Sequence, residues 1–336
     1  MIDILKNRLY FYIVSGSLIL FSLWMLLIGN LNYGIDMTGG IQIEYTSQSG
    51  IIDVKHLKIE AQTVAEHINL QKEGIINTVN VYKISWQESF VVEAGISKRY
   101  SDAESETYKV AYREQLSEVL LTQGKIQSSY VNIGASFGDY IKSTAKLTLF
   151  LALIWISVYV AYAFSGTIAG ISSWSFALIT LLTLFHDVIV SSGLYILTSY
   201  FLPQFQIDTF FITALLTILG YSINDTIVIF DRIRSNLREF GGKWKNLAVI
   251  IQNSVNETMT RSIYTSLTVF FVLVCMLIFG PESIQGFTLT MLYGTIIGSL
   301  SSIFIASPIL YDLHKNTILK VYIKKEARSN DDKMVV

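Results

Sequence analysis

A charged side chain inside an apolar stretch is the first feature of this sequence that could do chemistry. Asp225 lies in the second half of a long apolar segment, next to Asn224 and close to Ser222 and Thr226. A charge inside a membrane is costly and rarely persists without a partner or a water-filled path. We therefore interpret Asp225 as part of an ion pathway. The alternative is a neutral carboxyl group that neighbouring helices satisfy through hydrogen bonds.

Arg261 is the candidate partner of Asp225, because both residues are expected at a similar depth. Asp225 lies roughly 8 Å and Arg261 about 5 Å from the same end of two antiparallel spans, at a rise of 1.5 Å per residue. Loss of water raises the pKa of a carboxylic acid, and a nearby arginine lowers it. A movement that changes their separation would therefore change the affinity for a proton. The alternative is a static pair that fixes the packing of the two helices.

The elements that position these residues belong to a membrane protein with several spans. Of the 336 residues, 51% are hydrophobic and 15% are charged, whereas a soluble chain has about 25% charged residues. The net charge of −1 indicates no attraction to nucleic acid. The single cysteine, Cys275, excludes a disulfide framework within the chain. No P-loop pattern occurs, which argues against a nucleotide-driven pump.

Six apolar segments are long enough to cross a bilayer. They lie at about residues 10–28, 145–164, 174–197, 210–230, 258–279 and 287–306. The first follows Lys6 and Arg8 and lacks a small-x-small cleavage pattern, so we interpret it as a retained span. A basic loop is expected after the fourth span, and Pro308 is expected to end the sixth.

Basic residues favour one orientation of these spans. Lys and Arg occur before span 1, between spans 4 and 5, and after span 6, whereas the loops between spans 3 and 4 and between spans 5 and 6 have none. The positive-inside rule then places both termini in the cytoplasm. We predict a cytoplasmic N-terminus with the first span at 1–29, an extracytoplasmic domain at 30–143, a bundle of five spans at 144–310 and a cytoplasmic tail at 311–336.

The inserted domain has the pattern of a ferredoxin-like α+β fold. Alternating residues predict strands at 41–46, 78–85, 90–96 and 127–133, and helical spacing predicts helices at 54–68 and 103–121. The order is βαββαβ. The buried side of the second helix is expected to carry Val110, Leu116, Val119 and Leu120. Without metal-ligand spacing or a nucleophile–base pair, the domain is predicted to bind or to transmit movement, with no cofactor or metal.

Further polar residues support the intramembrane site. Ser254, Thr258, Arg261, Thr265 and Thr268 form one stripe along span 5, and such stripes more often mean helix–helix hydrogen bonds than water wires. His186 and Asp187 lie mid-span; a histidine beside an acid can relay protons. Because adjacent residues on a helix point about 100° apart, we expect no simple pair between them.

Gly294-x-x-x-Gly298 predicts a close-packing face. The simplest interpretation of Asp36 is a turn residue exposed to water.

Several motifs resemble those of the bacterial SecF family. Residues 34–40, with Gly34, Asp36, Gly39 and Gly40, are similar to its G-x-D-F-T-G-G signature, and His186-Asp187 to its H-D motif. Residues 220–226 with 230–234 resemble its G-Y-S-x-N-D-T…F-D-R-I-R block, residues 256–262 with 265–268 its N-x-T-x-x-R-T…T-S-x-T block, and residues 301–308 its final-span ending. The similarity runs in order from about residue 30 to residue 310.

The resemblance implies a half-transporter of the resistance–nodulation–division superfamily in a bacterial inner membrane. It implies work beside SecD, with the SecYEG channel and with YajC and YidC as further partners. The complex would use the proton gradient to complete export of unfolded chains. The family's intramembrane acid and arginine correspond to Asp225 and Arg261. Residues 133–138 depart from the usual V-G-P-x-V-G, since Ala135 stands where the family has proline, which leaves the stiffness of this junction open.

Two other functions remain open at this point. A structural scaffold could hold SecD and the channel together without moving protons. A small-molecule exporter of the same superfamily is disfavoured by the matching fourth-span block and by the small outer domain, in which no aromatic-lined pocket is indicated.

Overall fold

Six long helices and an inserted sheet domain make up the described part of the chain. The computed structural model describes residues 3–29, 31–48, 52–84, 88–97, 99–164, 171–240 and 246–315. Six of its helices are long and apolar enough to cross a membrane. The fold is a helical membrane protein with an inserted α+β domain, as the sequence predicts. The basic residues predicted at 243, 245 and 320–328 lie outside the described residues.

The membrane helices extend beyond the predicted spans. They are α1 (Arg8–Ile28), α5 (Ala135–Ala163), α6 (Ser173–Phe201), α7 (Thr209–Phe240), α8 (Leu247–Phe279) and α9 (Gln285–Ser301), the last continued by a π-helical turn (Ser302–Ala306) and α10 (Ser307–His314).

Two boundary predictions were wrong. Arg232, Arg234 and Arg238 belong to α7 and not to a loop, because polar residues continue a helix as readily as apolar ones once it has left the bilayer. Pro308 does not end the sixth span. It lies at the start of α10, where the missing backbone N–H of proline is tolerated.

The outer domain is a four-stranded antiparallel sheet with two helices on one face. Its strands β1 (Gly40–Ser47), β2 (Ile76–Lys83), β3 (Ser89–Ile96) and β4 (Lys125–Ile133) lie in the order β2-β3-β1-β4. The helices are α3 (Val54–Gln71) and α4 (Asp102–Leu121). Ile43 pairs with Val92 and Tyr45 with Phe90, and these residues form the core with the helices. This is the predicted βαββαβ topology.

The buried side of α4 differs from the prediction. Leu116 and Leu120 are buried as expected, whereas Val110 and Val119 are 37% and 38% exposed. The helix is turned about its axis relative to the predicted orientation, so that Lys109 faces β4. The ammonium of this buried lysine donates to Asn132 Oδ1 at 2.9 Å and to the Ile133 carbonyl at 3.3 Å, both on β4. A lysine is an unexpected core residue, so periodicity of apolar residues alone misplaces the helix face.

The domain is attached to the bundle through the segment between α1 and β1. Ile207, in the loop before α7, donates its N–H to the Asn32 carbonyl at 2.7 Å, and Gly34 donates to the Ile207 carbonyl at 3.1 Å. A four-residue helix, α2 (Ile35–Thr38), follows. Gly39 has a φ of 78°, and a Cβ there would lie 2.5 Å from Ala135 Cα, so only glycine allows this close approach to the start of α5.

Candidate functional site

Asp225 lies in a small cluster of hydroxyl groups between α7, α8 and α9. Its side chain is almost fully buried, with 3% of the residue exposed. Ser266 on α8 donates to Asp225 Oδ2 at 3.4 Å, and Ser299 on α9 donates to the same atom at 3.5 Å. The two serine hydroxyls also bond to each other, and Tyr221 donates to Ser266 Oγ at 3.0 Å. Three helices therefore share one acid through uncharged donors.

Arg261 is not joined to Asp225 by an ion pair among the described residues. Arg261 is exposed at the surface of this chain. Thr265 and Thr268, on the same stripe, are also exposed and donate to carbonyl groups of their own helix. Asn224 is exposed as well. The predicted polar stripe therefore has two parts. Ser254 and Thr258 are buried, whereas the exposed residues from Arg261 to Thr268 make no hydrogen bond to another helix within the described residues.

His186 and Asp187 form a second polar centre, and the expectation that neighbours on one helix cannot pair was wrong. The distance from His186 Nδ1 to Asp187 Oδ1 is 2.8 Å. The 100° offset separates the two Cβ directions, whereas the ring and the carboxyl group are long enough to meet beside the helix. Asp187 Oδ2 accepts from Ser222 on α7 and, at 2.9 Å, from Ser301 on α9.

One stretch of α9 contacts both acids. Ser299 donates to Asp225, Ser301 donates to Asp187, and Ser302 shares a hydrogen bond of 2.8 Å with Thr226 on α7. The π-helical turn begins at Ser302, and such turns occur frequently at functional sites. Sequence reasoning missed Ser299 and Ser266. A repeat of small hydroxyl residues four apart on α8, at 254, 258, 262 and 266, could have indicated the buried face.

The predicted glycine face brings α9 this close to α7 and is confirmed. A Cβ at Gly294 would lie 2.2 Å from Ile218 Cγ1, and one at Gly298 would lie 2.9 Å from Ser222 Cβ. Small residues allow helix backbones to approach, which brings short serine side chains within reach of the acids.

Acidic residues also meet where the outer domain rests on the bundle. Asp36 accepts from the backbone N–H of Thr209 at 2.6 Å and from its hydroxyl, so it caps α7 and is more than a solvated turn residue. Glu93, on the sheet face that carries no helix, bonds to Gln206 in the α6–α7 loop and accepts from Tyr82 at 2.9 Å. Burial raises the pKa of Glu93. Burial, with Asp36 and Glu93 nearby, raises the pKa of Asp208 to about 7.

A cavity of about 460 Å³ opens at this junction. Asp36, Glu44, Glu93 and Asp208 line it together with glutamines and aromatic rings. Among the described residues no group of three or more His, Cys, Asp and Glu is arranged to hold a metal ion. Glu93 was not among the predicted site residues, although an acid within the apolar run 90–94 is a signal that could have indicated it.

Comparison with known proteins identifies the family. The model of the family "Protein export membrane protein SecD/SecF, C-terminal" matches residues 115–316. The protein translocase subunit SecF of Sebaldella termitidis is 36% identical over 315 residues, which cover 94% of this chain and 92% of that protein. SecF of Helicobacter pylori strain J99 is 34% identical, covering 95% of this chain and 88% of that protein.

A solved structure supports the same fold. The crystal structure of SecDF from Thermus thermophilus, described as a translocon-associated membrane protein, superposes with a TM-score of 0.74 at 22% identity. The match covers 93% of this chain and 38% of the longer SecDF chain. Together with the six apolar helices and the relatives above, these matches show that the chain belongs to the SecF family of bacterial protein-export membrane proteins.

Proposed function

We propose that this chain acts with SecD to use the proton gradient for the late stage of export of unfolded polypeptides. The observation that carries the proposal is the environment of Asp225. The acid is buried within a span, and its hydrogen-bond donors are serine hydroxyls and not a cation. An ionised carboxylate in such a place is costly, so uptake or loss of one proton changes the energy of the packing between α7, α8 and α9.

The proton gradient can supply enough energy for such a change. One elementary charge that crosses the membrane contributes about 2.3 kcal/mol per 100 mV. Hydroxyl donors can rotate between an ionised and a protonated carboxyl group, since each is both donor and acceptor. The interface at Asp225 can therefore accept both protonation states with different hydrogen bonds, which is the requirement for coupling protonation to movement.

We propose that SecD packs against the exposed polar side of α8. Only 11% of the most apolar stretch of this helix is buried within the chain, and Arg261, Thr265 and Thr268 lie on its open side. Polar groups and an arginine are unfavourable against lipid tails, whereas they can pair with polar groups of another membrane helix. A neighbouring bundle with an acid at this depth would satisfy Arg261. The Sec channel, YajC and YidC remain predicted partners from the family resemblance.

The proposed orientation has both termini in the cytoplasm and the sheet domain outside the inner membrane. Arg8 at the start of α1 pairs with Asp312 in α10 at 3.0 Å, and the backbone of Ile4 donates to Gln252 in α8 at 3.0 Å. These contacts gather the N-terminus, the start of α8 and the end of α10 at one end of the bundle, together with the basic end of α7. Basic residues concentrated at one end favour the cytoplasmic side.

The test is release of a late-stage export substrate from membrane vesicles under a proton gradient, with SecD association measured by pull-down. We expect Asp225→Asn to lose proton-dependent release and to keep SecD. Asp231→Asn is the matched control, because it removes the same charge from an exposed position of the same helix. Normal release by Asp225→Asn would contradict the coupling proposal. Arg261→Lys then tests whether the guanidinium geometry matters in addition to the charge.

A scaffold that joins SecD to the channel without proton movement is the second candidate function. It is favoured by the hydrogen bonds of Asp187, whose two carboxyl oxygens are both satisfied in the arrangement observed. In that case Asp225→Asn would impair export only in proportion to lost SecD association. The pull-down from the same samples separates the two functions.

A further inference from the structure

We propose that His186 and Asp187 form a second proton-binding site within the membrane bundle. The pair is enclosed, with 6% of His186 and 0% of Asp187 exposed. Asp187, at one end of the pair, accepts hydrogen bonds from α7 and α9. At the other end, the ring nitrogen His186 Nε2 is buried and has no hydrogen-bond partner among the described residues. A buried nitrogen of this kind indicates a position for a water molecule or an arriving proton.

The hydrogen bonds of Asp187 define how the site is built. Oδ1 faces His186 Nδ1. While Asp187 is ionised, a neutral ring must carry its hydrogen on Nδ1 to make this bond, which leaves Nε2 as the acceptor. Oδ2 accepts from Ser222 and Ser301. The donors come from α7 and α9, whereas the histidine comes from the same helix as the acid. The acid is thereby held on both sides, and Nε2 is the polar atom of the pair that has no hydrogen-bond partner among the described residues.

Charge balance favours binding of one proton. An ionised Asp187 beside a neutral His186 leaves one negative charge in a site that no lysine or arginine contacts among the described residues. Burial of an unpaired charge is strongly unfavourable. A proton that binds Nε2 allows the Nδ1 proton to pass to Asp187 Oδ1, which yields a neutral ring and a neutral carboxylic acid. The reverse transfer releases the proton, and no other reactant is needed.

Within the described part of the chain, no other charged side chain makes a hydrogen bond or an ion pair with His186 or Asp187. The buried polar residues of α1 are Ser15 and Ser22, and the buried residues of α5 are Gly138 and Val160. The π-helical turn and α10 contribute serines and apolar residues to their buried sides. The titratable groups of α7 nearest Ser222 in sequence are Tyr221, directly before it, and Asp225, three residues after it. Neither is a hydrogen-bond partner of the pair among the described residues.

The second site is linked to Asp225 through α9. Ser299 and Ser301 lie two residues apart, and each donates to one of the two acids. A change of protonation at either acid alters a hydrogen bond to the same stretch, immediately before the π-helical turn. The purpose of this site rests on the proton use proposed above, whereas its capacity to bind a proton rests on the geometry of the pair.

Infrared difference spectra of the purified complex with SecD in lipid vesicles, recorded over a range of pH, test this inference. Buried carboxylic acids absorb above the carbonyl band of solvated acids. We expect Asp187→Asn to remove one such band and Asp225→Asn to leave it in place. Ser191→Ala is the matched control, since it removes a buried hydroxyl of α6 that has no partner among the described residues. Spectra of Asp187→Asn that equal the wild type would overturn the inference.

Two milder variants keep the test decisive if Asp187→Asn does not assemble. Ser301→Ala removes one donor from Asp187 Oδ2, and the carbonyl band should move to higher wavenumber. His186→Asn keeps an amide donor near Oδ1 but has no counterpart of Nε2, so exchange of the acid proton with heavy water should slow. An unmoved band in Ser301→Ala, or unchanged exchange in His186→Asn, would contradict the site. Loss of export by Asp225→Asn is a separate result and does not decide this one.

Discussion

The outer domain and the membrane bundle bury different kinds of side chain at their centres. Ile43 and Phe90 fill the space between the sheet and its helices, in a cluster of apolar neighbours. Between α7 and α9, by contrast, Ser222, Thr226 and Ser301 are buried among acids. Water drives apolar side chains into the domain core. Lipid supplies no such force, so helices in a bilayer associate through close packing and hydrogen bonds.

This difference indicates where a proton can alter packing between elements. In the outer domain the contacts between the sheet and its helices are mainly apolar, so a change of protonation is expected to leave these contacts intact. The bundle centre contains two acids whose hydrogen bonds join helices, so a proton there alters packing directly. The comparison can be tested by perturbing each centre in turn.

The largest effect is expected from Phe90→Ala in the outer domain. The ring is wholly buried and stacks on Tyr45 with centroids 5.5 Å apart. Its loss should cost about 3–5 kcal/mol of unfolding free energy for the domain. Pulse proteolysis of the full chain in increasing urea measures this loss. Ile126→Ala, at an exposed position of β4, should change stability by less than about 0.5 kcal/mol. Equal losses would contradict an apolar core at Phe90.

The next effect is expected from overpacking the bundle with Gly294→Val. The added side chain would collide with Ile218, whose Cγ1 lies 2.2 Å from the position of a Cβ. We expect destabilisation of about 1–3 kcal/mol, measured as thermal unfolding in detergent. Gly16→Val is the control, because a Cβ at this helical glycine meets nothing within 4 Å. If both valines destabilise equally, close packing of α7 and α9 does not explain the loss.

The residues that the sequence did not predict are those that depend on contacts between distant segments. Segments of apolar or alternating residues predicted all six spans and all four strands, since these patterns are local. The rotation of α4 depends on Lys109 reaching β4, and the role of Glu93 depends on Gln206, which follows much later in the chain. Asp225 was found because a charge among apolar residues is itself a local signal, whereas Ser299 resembles any other serine of a membrane helix.

A smaller effect is expected from pH at the junction of the two regions. The pKa of Asp208 is raised from 3.8 to about 7, so the folded protein holds this proton more tightly than the unfolded chain does. Stability should therefore fall as pH rises from about 4 to about 7, and then level. Asp208→Asn keeps a neutral side chain and should remove the part of this loss that Asp208 causes, whereas the part caused by the buried Glu93 should remain. We expect the melting temperatures of the two proteins to agree at low pH and to separate above pH 7, by about 2–4 °C for each kcal/mol of stability lost.

Glu44 provides the control for Asp208, because it is a second acid in the lining of the same cavity. Glu44→Gln alters the charge of the lining but not the hydrogen bond between Glu93 and Gln206 that joins the domain to the α6–α7 loop. Its melting temperature should therefore follow the pH dependence of the wild type. The result would contradict the prediction if the melting temperature of Glu44→Gln did not change with pH while that of Asp208→Asn changed as in the wild type. Asp208 would then not be the source of the pH dependence.

The smallest effect is expected at the junction between the domain and α5, where this chain lacks the family's proline. Ala135 begins α5, and its backbone N–H donates to Asp102 Oδ1 at 2.8 Å, a hydrogen bond that proline could not make. Asp102 also accepts from the hydroxyl of Ser136, and these bonds lower the pKa of its carboxyl group. An acid on α4 thus fixes the start of the membrane helix in place of a rigid ring.

The variant Ala135→Pro should therefore be close to neutral in this chain. Loss of one hydrogen bond costs about 0.5–1.5 kcal/mol. Proline also lowers the conformational entropy of the unfolded chain, which stabilises the folded state by about 0.4–1 kcal/mol. Residue 135 is the first residue of a helix, a position that suits proline. Asp102→Ala should then destabilise the domain less in the Ala135→Pro background than in the wild type, because one of its bonds is already absent. A double-mutant cycle of urea unfolding measures this coupling. Additive effects would mean that Asp102 does not replace the proline, and that the stiffness of this junction has another source.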